Sequence, residues 1–229
     1  MKLFLKFLAN TIAALLAAGF LVAAPTAIPT SASAETIISQ LGIDIDGEAA
    51  DDYSGSSVSL SSDGTRVAIG APYNDGNGNS SGHVRIYELS GGTWSQLGSD
   101  IDGEAADDYS GHSVSLSSDG TRVAIGAAYN DGNGSDAGHV RVYEFSGGTW
   151  NQLGSDIDGE AANDNSGRSV SLSSDGTRVA IGAAYNDGNG NNAGHVRLYS
   201  IVYQAPAPVV VPTAKTNAGS FNGYVAVYA

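Results

Sequence analysis

The sequence predicts an all-β protein, a β-propeller-like array of three four-stranded antiparallel blades. Near-identical units repeat about every 56 residues, the spacing that separates Trp94 from Trp150 and His83 from His139. Each unit contains short segments that alternate apolar and polar residues, and no helical period follows the N-terminal leader. A fixed period in this range is typical of solenoids, propellers and arrays. Four antiparallel strands per repeat are typical of a propeller blade.

Each unit is predicted to contain four strands, labelled A to D. In the first unit these are residues 57–61, 66–71, 83–89 and 93–102. Strand A alternates apolar residues with serines, as expected for a strand with one buried face. An Asp-Gly pair predicts a tight turn to strand B, which is apolar on both faces and is therefore expected between two layers. A long glycine-rich loop then leads to strand C, and a Ser-Gly-Gly turn leads to strand D.

The two ends of the repeat array are out of phase. Residues 37–46 resemble a strand D, whereas the third unit contains strands A to C and no strand D. In many propellers the first strand completes the last blade, which removes two sheet edges. Three arrangements fit this pattern: a homodimer that forms a six-bladed ring, an open arc, or a fragment of a longer repeat protein.

The segments outside the repeats have distinct compositions. Residues 1–34 are predicted to be a signal peptide, because two lysines precede a short apolar run and Ala32-Ser33-Ala34 fits a cleavage site. The alternative is an uncleaved membrane anchor. The repeat domain is assigned to 35–203, a proline-rich linker to 204–217 and a strand-like C-terminal tail to 218–229. Cleavage after Ala34 would make the protein secreted, periplasmic or cell-surface, with no membrane insertion afterwards.

Charge and cysteine content exclude several classes of function. The formal net charge is −14, which argues against nucleic acid or an anionic membrane surface as partner, because both require a basic patch. There is no cysteine, so disulfides, thiol catalysis and cysteine metal sites are all excluded. Burial and backbone pairing must therefore stabilise the fold.

The repeats resemble the FG-GAP repeats of integrin-α-like β-propellers. The first unit carries Ser-Val at 57–58, Gly-Ala-Pro at 70–72 and Gly-x-Val-x-Ile-Tyr at 82–87. The resemblance covers nearly all of the chain between leader and tail, and it implies a propeller whose ligand face is formed by the B–C and D–A loops. Calcium-binding members carry an aspartate-rich A–B loop, but this loop has the single carboxylate Asp63. The calcium site of the family therefore does not transfer to this chain.

Acidic residues in the B–C and D–A loops are the candidate ligand-binding residues. They are Asp51, Asp52, Asp75, Asp107, Asp108, Asp131, Asp164 and Asp187. Four of them are also candidate metal ligands: Asp51, Asp52, Asp107 and Asp108. The cofactor expected there is calcium, because Ca²⁺ favours carboxylate oxygens as ligands. The third unit has Asn163 in place of the first aspartate of the pair, which counts against an obligatory metal.

The expected function is that of a non-catalytic adhesion or ligand-binding module, secreted or on the cell surface. Repeated loops suit multivalent binding to a glycan or to an extracellular matrix or protein ligand. One alternative is a propeller-scaffold hydrolase or lyase acting on surface polysaccharide, with His112 close in sequence to Asp107, Asp108 and Ser113. Another is a duplicated repeat fragment without a dedicated ligand. The histidines of strand C and the two tryptophans are expected to pack between blades, although the tryptophans could instead form a sugar-stacking platform.

Overall fold

A computed structural model describes residues 37–202 and two short strands at 209–210 and 226–227. The predicted signal peptide lies outside the described residues. The chain divides into two compact units, Met1–Ser39 and Gln40–Ala229, and the described strands all lie in the second. Among the described residues, no helix is long and apolar enough to cross a membrane.

The described residues form an all-β fold with three antiparallel sheets in the repeat region, which confirms the predicted fold class. The first sheet contains β1 (Ser57–Leu60), β2 (Arg66–Ala71), β3 (His83–Ser90), β4 (Thr93–Gln96) and β5 (Ile101–Asp102). The second contains β6 (Ser113–Leu116), β7 (Arg122–Ala127), β8 (His139–Ser146), β9 (Thr149–Gln152) and β10 (Ile157–Asp158). The third contains β11 (Ser166–Leu172), β12 (Arg178–Ala183) and β13 (His195–Ser200), and β14 (Val209–Val210) pairs with β15 (Ala226–Val227).

The fourth strand of each of the first two blades is broken in two, which corrects the continuous strand predicted over 93–102. In the first blade, β4 pairs with one end of β3 and β5 pairs with the other end. Gly98 lies between them with a φ of 78°, a left-handed conformation that interrupts a ladder. The third blade has three strands, as its missing strand D predicts.

The N-terminal segment is not a strand, contrary to the prediction for 37–46, and its described residues do not pair with the third blade. Its second part, from Gln40 onward, lies against the first blade. Trp94 Nε1 donates to the carbonyl of Leu41 at 2.9 Å, and Arg85 donates to the carbonyl of Asp46 at 2.8 Å.

The same two contacts join the first blade to the second. Trp150 Nε1 donates to the carbonyl of Leu97 at 2.8 Å, and Arg141 donates to the carbonyl of Asp102 at 2.7 Å. The N-terminal segment thus occupies the position that the fourth strand of a preceding blade would take.

Adjacent blades pack through their apolar faces. Val84 and Ile86 of the first blade cluster with Val114 and Leu116 of the second. The same positions form the second joint, where Val140 and Val142 cluster with Leu172 and its neighbours. The outward faces of the first and third blades have no such cover among the described residues, so the three blades form an open arc.

A glycine at the penultimate position of β2 and of β7 allows adjacent blades to approach closely. A Cβ on Gly70 would lie 2.1 Å from the carbonyl oxygen of Gly111, and a Cβ on Gly126 would lie 2.0 Å from that of Gly167. Any side chain there would push the blades apart. This close backbone contact explains part of the high glycine content.

Candidate functional site

Loops B–C and D–A meet on one side of the array through a repeated buried hydrogen bond. In the first blade, Asn74 Nδ2 donates to Asp52 Oδ2 at 2.9 Å, and the backbone N–H of Ala49 donates to the same oxygen at 3.2 Å. The equivalent carboxylates, Asp108 and Asp164, accept the equivalent bonds. All three aspartates are buried. These predicted ligand residues therefore hold the two loops together.

The preceding residue of each D–A loop is exposed and has a left-handed backbone. Asp51, Asp107 and Asn163 have φ values of 68°, 66° and 66°. Aspartate and asparagine tolerate this conformation better than other non-glycine residues do. The conformation accounts for the exchange of Asp for Asn in the third unit, and it leaves the exposed carboxylates of the first two units on the loop surface.

The three aspartates of the B–C loops are exposed, and each also closes its own loop. Asp75 Oδ1 accepts the backbone N–H of Ser80 at 2.8 Å. Asp131 and Asp187 accept the equivalent bonds. One oxygen of each carboxylate is therefore in structural use at the surface where ligand binding was predicted.

A row of four tyrosines crosses this face. We call it the tyrosine ladder: Tyr53, Tyr73, Tyr109 and Tyr129. Their ring centroids are 4.8, 5.1 and 5.1 Å apart in that order, in tilted and edge-to-face arrangements. Tyr53 and Tyr73 are exposed, with 62% and 44% of their surface accessible. Edge-to-face pairs are a stable arrangement of aromatic rings, so the ladder is a preformed aromatic surface.

A cavity of about 380 Å³ opens beside the second half of the ladder. Its lining includes Tyr73, Tyr109 and Tyr129, together with Asp107 and Asp136. His112 also lines it, with its ring centroid 6.2 Å from that of Tyr129. Aromatic rings with a few polar groups at the edge are typical of ligand sites.

The ladder ends at the third blade. Asn165 replaces tyrosine there, is buried, and donates to the carbonyl of Ala128 at 3.0 Å. Tyr185 instead lies under the guanidinium of Arg168, 5.3 Å from its ring centroid. The sequence-based candidates did not include the tyrosines. Their recurrence in glycine-rich loops, where no core packing requires an aromatic ring, was the available signal.

The residues of the hydrolase alternative have other partners. Ser113 Oγ donates to the carbonyl of Gly167 at 2.8 Å. The buried carboxylate of Asp108 accepts the hydrogen bond from Asn130 that joins the two loops. Burial and, to a lesser extent, the guanidinium of Arg168 lower the pKa of His112 below its usual 6.5. The imidazole is thereby favoured in its neutral form.

Among the described residues, two groups could hold a metal ion, and neither contains a predicted metal ligand. They are Glu48, His83 and Asp100 at the N-terminal joint, and Glu104, His139 and Asp156 at the next. In each group one histidine nitrogen and two carboxylate oxygens lie within 4.8 Å of one another. A nitrogen ligand suits zinc and other transition metals better than calcium, which favours oxygen. The Arg85 and Arg141 guanidiniums lie 3.3 and 3.4 Å from the glutamates, so a metal would compete with an arginine.

The A–B turns contain no acidic cluster in any of the three blades. Asp63 Oδ1 accepts bonds from the Thr65 N–H, the Ser61 hydroxyl and the Thr65 hydroxyl at 3.0, 2.7 and 2.9 Å. These bonds, the Thr65 N–H foremost, hold the pKa of Asp63 at about 2. The carboxylate stabilises the turn.

A family model for the FG-GAP repeat matches residues 44–87, 100–143 and 157–199. These matches cover more than half of the chain, one for each blade. The chain belongs to the FG-GAP repeat family. This result confirms the resemblance that the repeats show to FG-GAP repeats.

Solved structures resemble the chain only at low similarity. Hydrazine synthase from Kuenenia stuttgartiensis is 13% identical with a TM-score of 0.40, and the match covers 63% of this chain and 33% of that one. A putative 6-phosphogluconolactonase from Bacteroides uniformis is 15% identical with a TM-score of 0.38, covering 68% and 44%. The periplasmic gluconolactonase of Pseudomonas aeruginosa is 19% identical with a TM-score of 0.42, covering 64% and 39%. The chain thus spans less than half the length of each, and no curated protein matches it.

Proposed function

We propose that the protein is a non-catalytic, extracellular or cell-surface module that binds a neutral glycan along the tyrosine ladder. The observation that carries the proposal is the ladder itself: four tyrosines in edge contact on a loop surface, two of them well exposed. Tyrosine offers a large and rigid contact area at low entropic cost and is enriched at binding hot spots.

The surrounding charges support a neutral polymer over an acidic one. Asp107 and Asp136 line the cavity beside the ladder, and their carboxylates can accept hydrogen bonds from sugar hydroxyls. The formal net charge of −14 would repel an acidic polysaccharide at low salt. Two blades present the ladder side by side, so a repetitive polymer can contact both at once.

The test is affinity electrophoresis and calorimetry with two soluble probes, a neutral β-glucan and an acidic polygalacturonate of similar length. We expect binding of the neutral probe and none of the acidic one. The double variant Tyr53→Ser/Tyr73→Ser should weaken binding at least about tenfold, because both rings are exposed and contribute contact area. Tyr185→Ser is the matched control, since this exposed tyrosine lies outside the ladder.

Absence of binding to the neutral probe would contradict the glycan proposal and favour a repeat fragment without a dedicated ligand. An equal loss of affinity in Tyr185→Ser and in the double variant would show that the tyrosine ladder is not the binding site. Hydrolysis of the probe by the purified protein would favour the enzymatic alternative, with His112→Ser as the variant that removes it.

Calcium binding by Asp51 and Asp107 stays a prediction with its own measurement. These carboxylates are exposed on the same face as the ladder. Thermal unfolding with added Ca²⁺ and with EDTA tests it, and Asp51→Asn/Asp107→Asn is the variant. A melting temperature that does not change on EDTA addition would exclude structural calcium. The same measurement with Zn²⁺ in place of Ca²⁺ would test metal binding by the groups around His83 and His139.

A further inference from the structure

The open arc has two unlike apolar ends that match each other. At the third blade, Val196 and Leu198 are 63% and 74% exposed, whereas the same positions in the first blade, Val84 and Ile86, are 0% and 1% exposed. At the first blade, Val58 and Leu60 are 64% and 58% exposed. Their counterparts in the second blade, Val114 and Leu116, are 9% and 7% exposed because the first blade covers them.

These two exposed faces are the two halves of the joint that the chain already forms twice within itself. We infer that a second copy of the chain docks its first blade onto the third blade of the first copy, and that two copies close head to tail into a six-bladed ring. The occupant is argued from the repeat: the second copy presents the same apolar positions that cover Val84 and Val140 inside each chain.

The second copy also supplies the missing fourth strand of the third blade. In the first blade, His83 pairs with Asp102 and Val84 pairs with Ile101. The 56-residue repeat places Asp46 and Ile45 of the second copy opposite His195 and Val196 of β13. The segment from Gln40 to Asp46 already lies against its own first blade in the position of such a strand.

The chain's own tail does not fit this position. Residues 206, 208 and 212, where a fourth strand would follow β13, are prolines, and proline cannot donate to a ladder. The two described segments of the tail, β14 and β15, pair with each other.

Two further features of the third blade are incomplete in the same way. His195 Nδ1 lies 3.6 Å from Glu160, but the aspartate that completes this group in the other blades is missing. The equivalent of Asp100 is Asp44, so the second copy would provide it. A Cβ on Gly182 would meet only Ser169, whereas Gly70 and Gly126 face the carbonyl of the next blade.

A groove of about 370 Å³ marks the place where the new strand would enter. Its lining includes Leu153, Gly154, Tyr199 and Ile201. In the preceding joint, Trp150 fills the equivalent space over Gly98. The third repeat has Pro206 at the tryptophan position and therefore no indole for this space, which a side chain of the second copy would fill.

The first experiment is light scattering of the purified chain over a wide range of concentration. We expect twice the mass of one chain, with no growth at higher concentration because the ring is closed. Leu198→Asp and Val58→Asp should each give a monomer that retains the native circular dichroism spectrum, since both residues are exposed in the single chain. Ser95→Asp, on the outer strand β4, should remain dimeric.

Mixing the two monomeric variants distinguishes a head-to-tail joint from a symmetric one. In the mixture, the intact third blade of Val58→Asp can bind the intact first blade of Leu198→Asp, so a one-to-one complex should form. A symmetric contact between two third blades would instead be lost in Leu198→Asp, retained in Val58→Asp and not restored by mixing.

Cysteine pairing tests the register of the strand. The chain contains no cysteine, so the double variant Ile45→Cys/Val196→Cys has no competing thiol. We expect a covalent dimer on a non-reducing gel, and none from Val196→Cys alone. A wild-type chain that stays monomeric at all concentrations, or an increasing series of masses, would overturn the closed dimer, and an intramolecular disulfide would assign the strand position to the same chain.

Discussion

Asp52 and Asn74 lie 22 residues apart in sequence, and their side chains meet in a buried hydrogen bond of 2.9 Å. The bond joins the loop that enters a blade to the loop that leaves its second strand. It recurs as Asp108–Asn130 and Asp164–Asn186. The bond explains why the acidic pairs of the D–A loops divide into one buried and one exposed residue. The face that these two loops share is therefore held in one shape by the fold itself.

The two members of an acidic pair should respond differently to substitution. Asp108→Ala leaves the Asn130 amide and the Ala105 N–H without their acceptor, and we expect a loss of about 1–3 kcal/mol in the free energy of unfolding. Asp107→Asn should change it by less than about 0.5 kcal/mol, because asparagine already occupies this position in the third unit. Urea unfolding measures both. Equal losses would contradict the bracing role.

Two histidines, the buried His139 and the half-buried His112, should make stability depend on pH. Burial, and secondarily Arg141, lowers the pKa of His139 from 6.5, and burial with Arg168 does the same for His112. Because protons then bind the unfolded chain more tightly, stability is fully present above pH 6.5 and falls as the pH drops below it. Urea midpoints between neutral pH and about pH 5 test this.

Two variants assign the decline to individual residues. His139→Gln should reduce the slope between neutral pH and about pH 5, and His112→Ser, the residue at the equivalent place in the first unit, should reduce it further. Slopes unchanged by both substitutions would show that other groups titrate in this range.

The arginine on the third strand of each blade is expected to hold that blade to the preceding part of the chain. Arg141 donates to the carbonyl of Asp102 and lies over the ring of Tyr143, 5.6 Å from its centroid. Arg141→Met preserves most of the packing but removes the donor, and it should cost about 1–3 kcal/mol. Arg197→Met removes the equivalent bond to the carbonyl of Asp158 at a side chain that is 22% exposed, so in the Leu198→Asp background, where both proteins are single chains, it should cost less. Thermal unfolding of both variants at one concentration measures the difference.

Replacing the glycine of the second strand of a blade should reduce stability strongly only where another blade packs against that glycine. Gly126→Ala would place a Cβ 2.0 Å from a backbone carbonyl, so we expect a loss of about 3 kcal/mol or more, or failure to fold. Gly182→Ala meets only the side chain of Ser169 at 2.4 Å, which can rotate. Measured in the Leu198→Asp background, where both proteins are single chains, Gly182→Ala should be the milder change. The reverse order would contradict the close approach of the blades.

The sequence predicted strand positions correctly where an apolar run is bounded by turn residues. The second strand was predicted over 66–71, the bounds that β2 has, because its apolar run ends at turn residues on both sides. The fourth strand was predicted as continuous, and its break at Gly98 depends on a left-handed backbone that the letter pattern does not reveal.

The family resemblance implied that the B–C and D–A loops share one face, but the environment of the side chains on that face did not follow from the sequence. Whether an aspartate such as Asp52 is exposed depends on a partner in another loop, and that pairing is tertiary. The tyrosine ladder joins rings from different blades, such as Tyr73 and Tyr109, whose distance follows from how the blades stack. Neither feature can be predicted from the repeat period, because both depend on contacts between loops or blades.

The repeated joint makes the array extensible. Trp150, Arg141 and Gly126 contact the neighbouring blade through backbone carbonyl groups, which every residue type provides. One more 56-residue unit inserted between two blades would find the same acceptors on both sides and would need no compensating substitution. The number of blades can therefore change by whole units while each joint keeps its geometry, and the length of the tyrosine ladder would change with it.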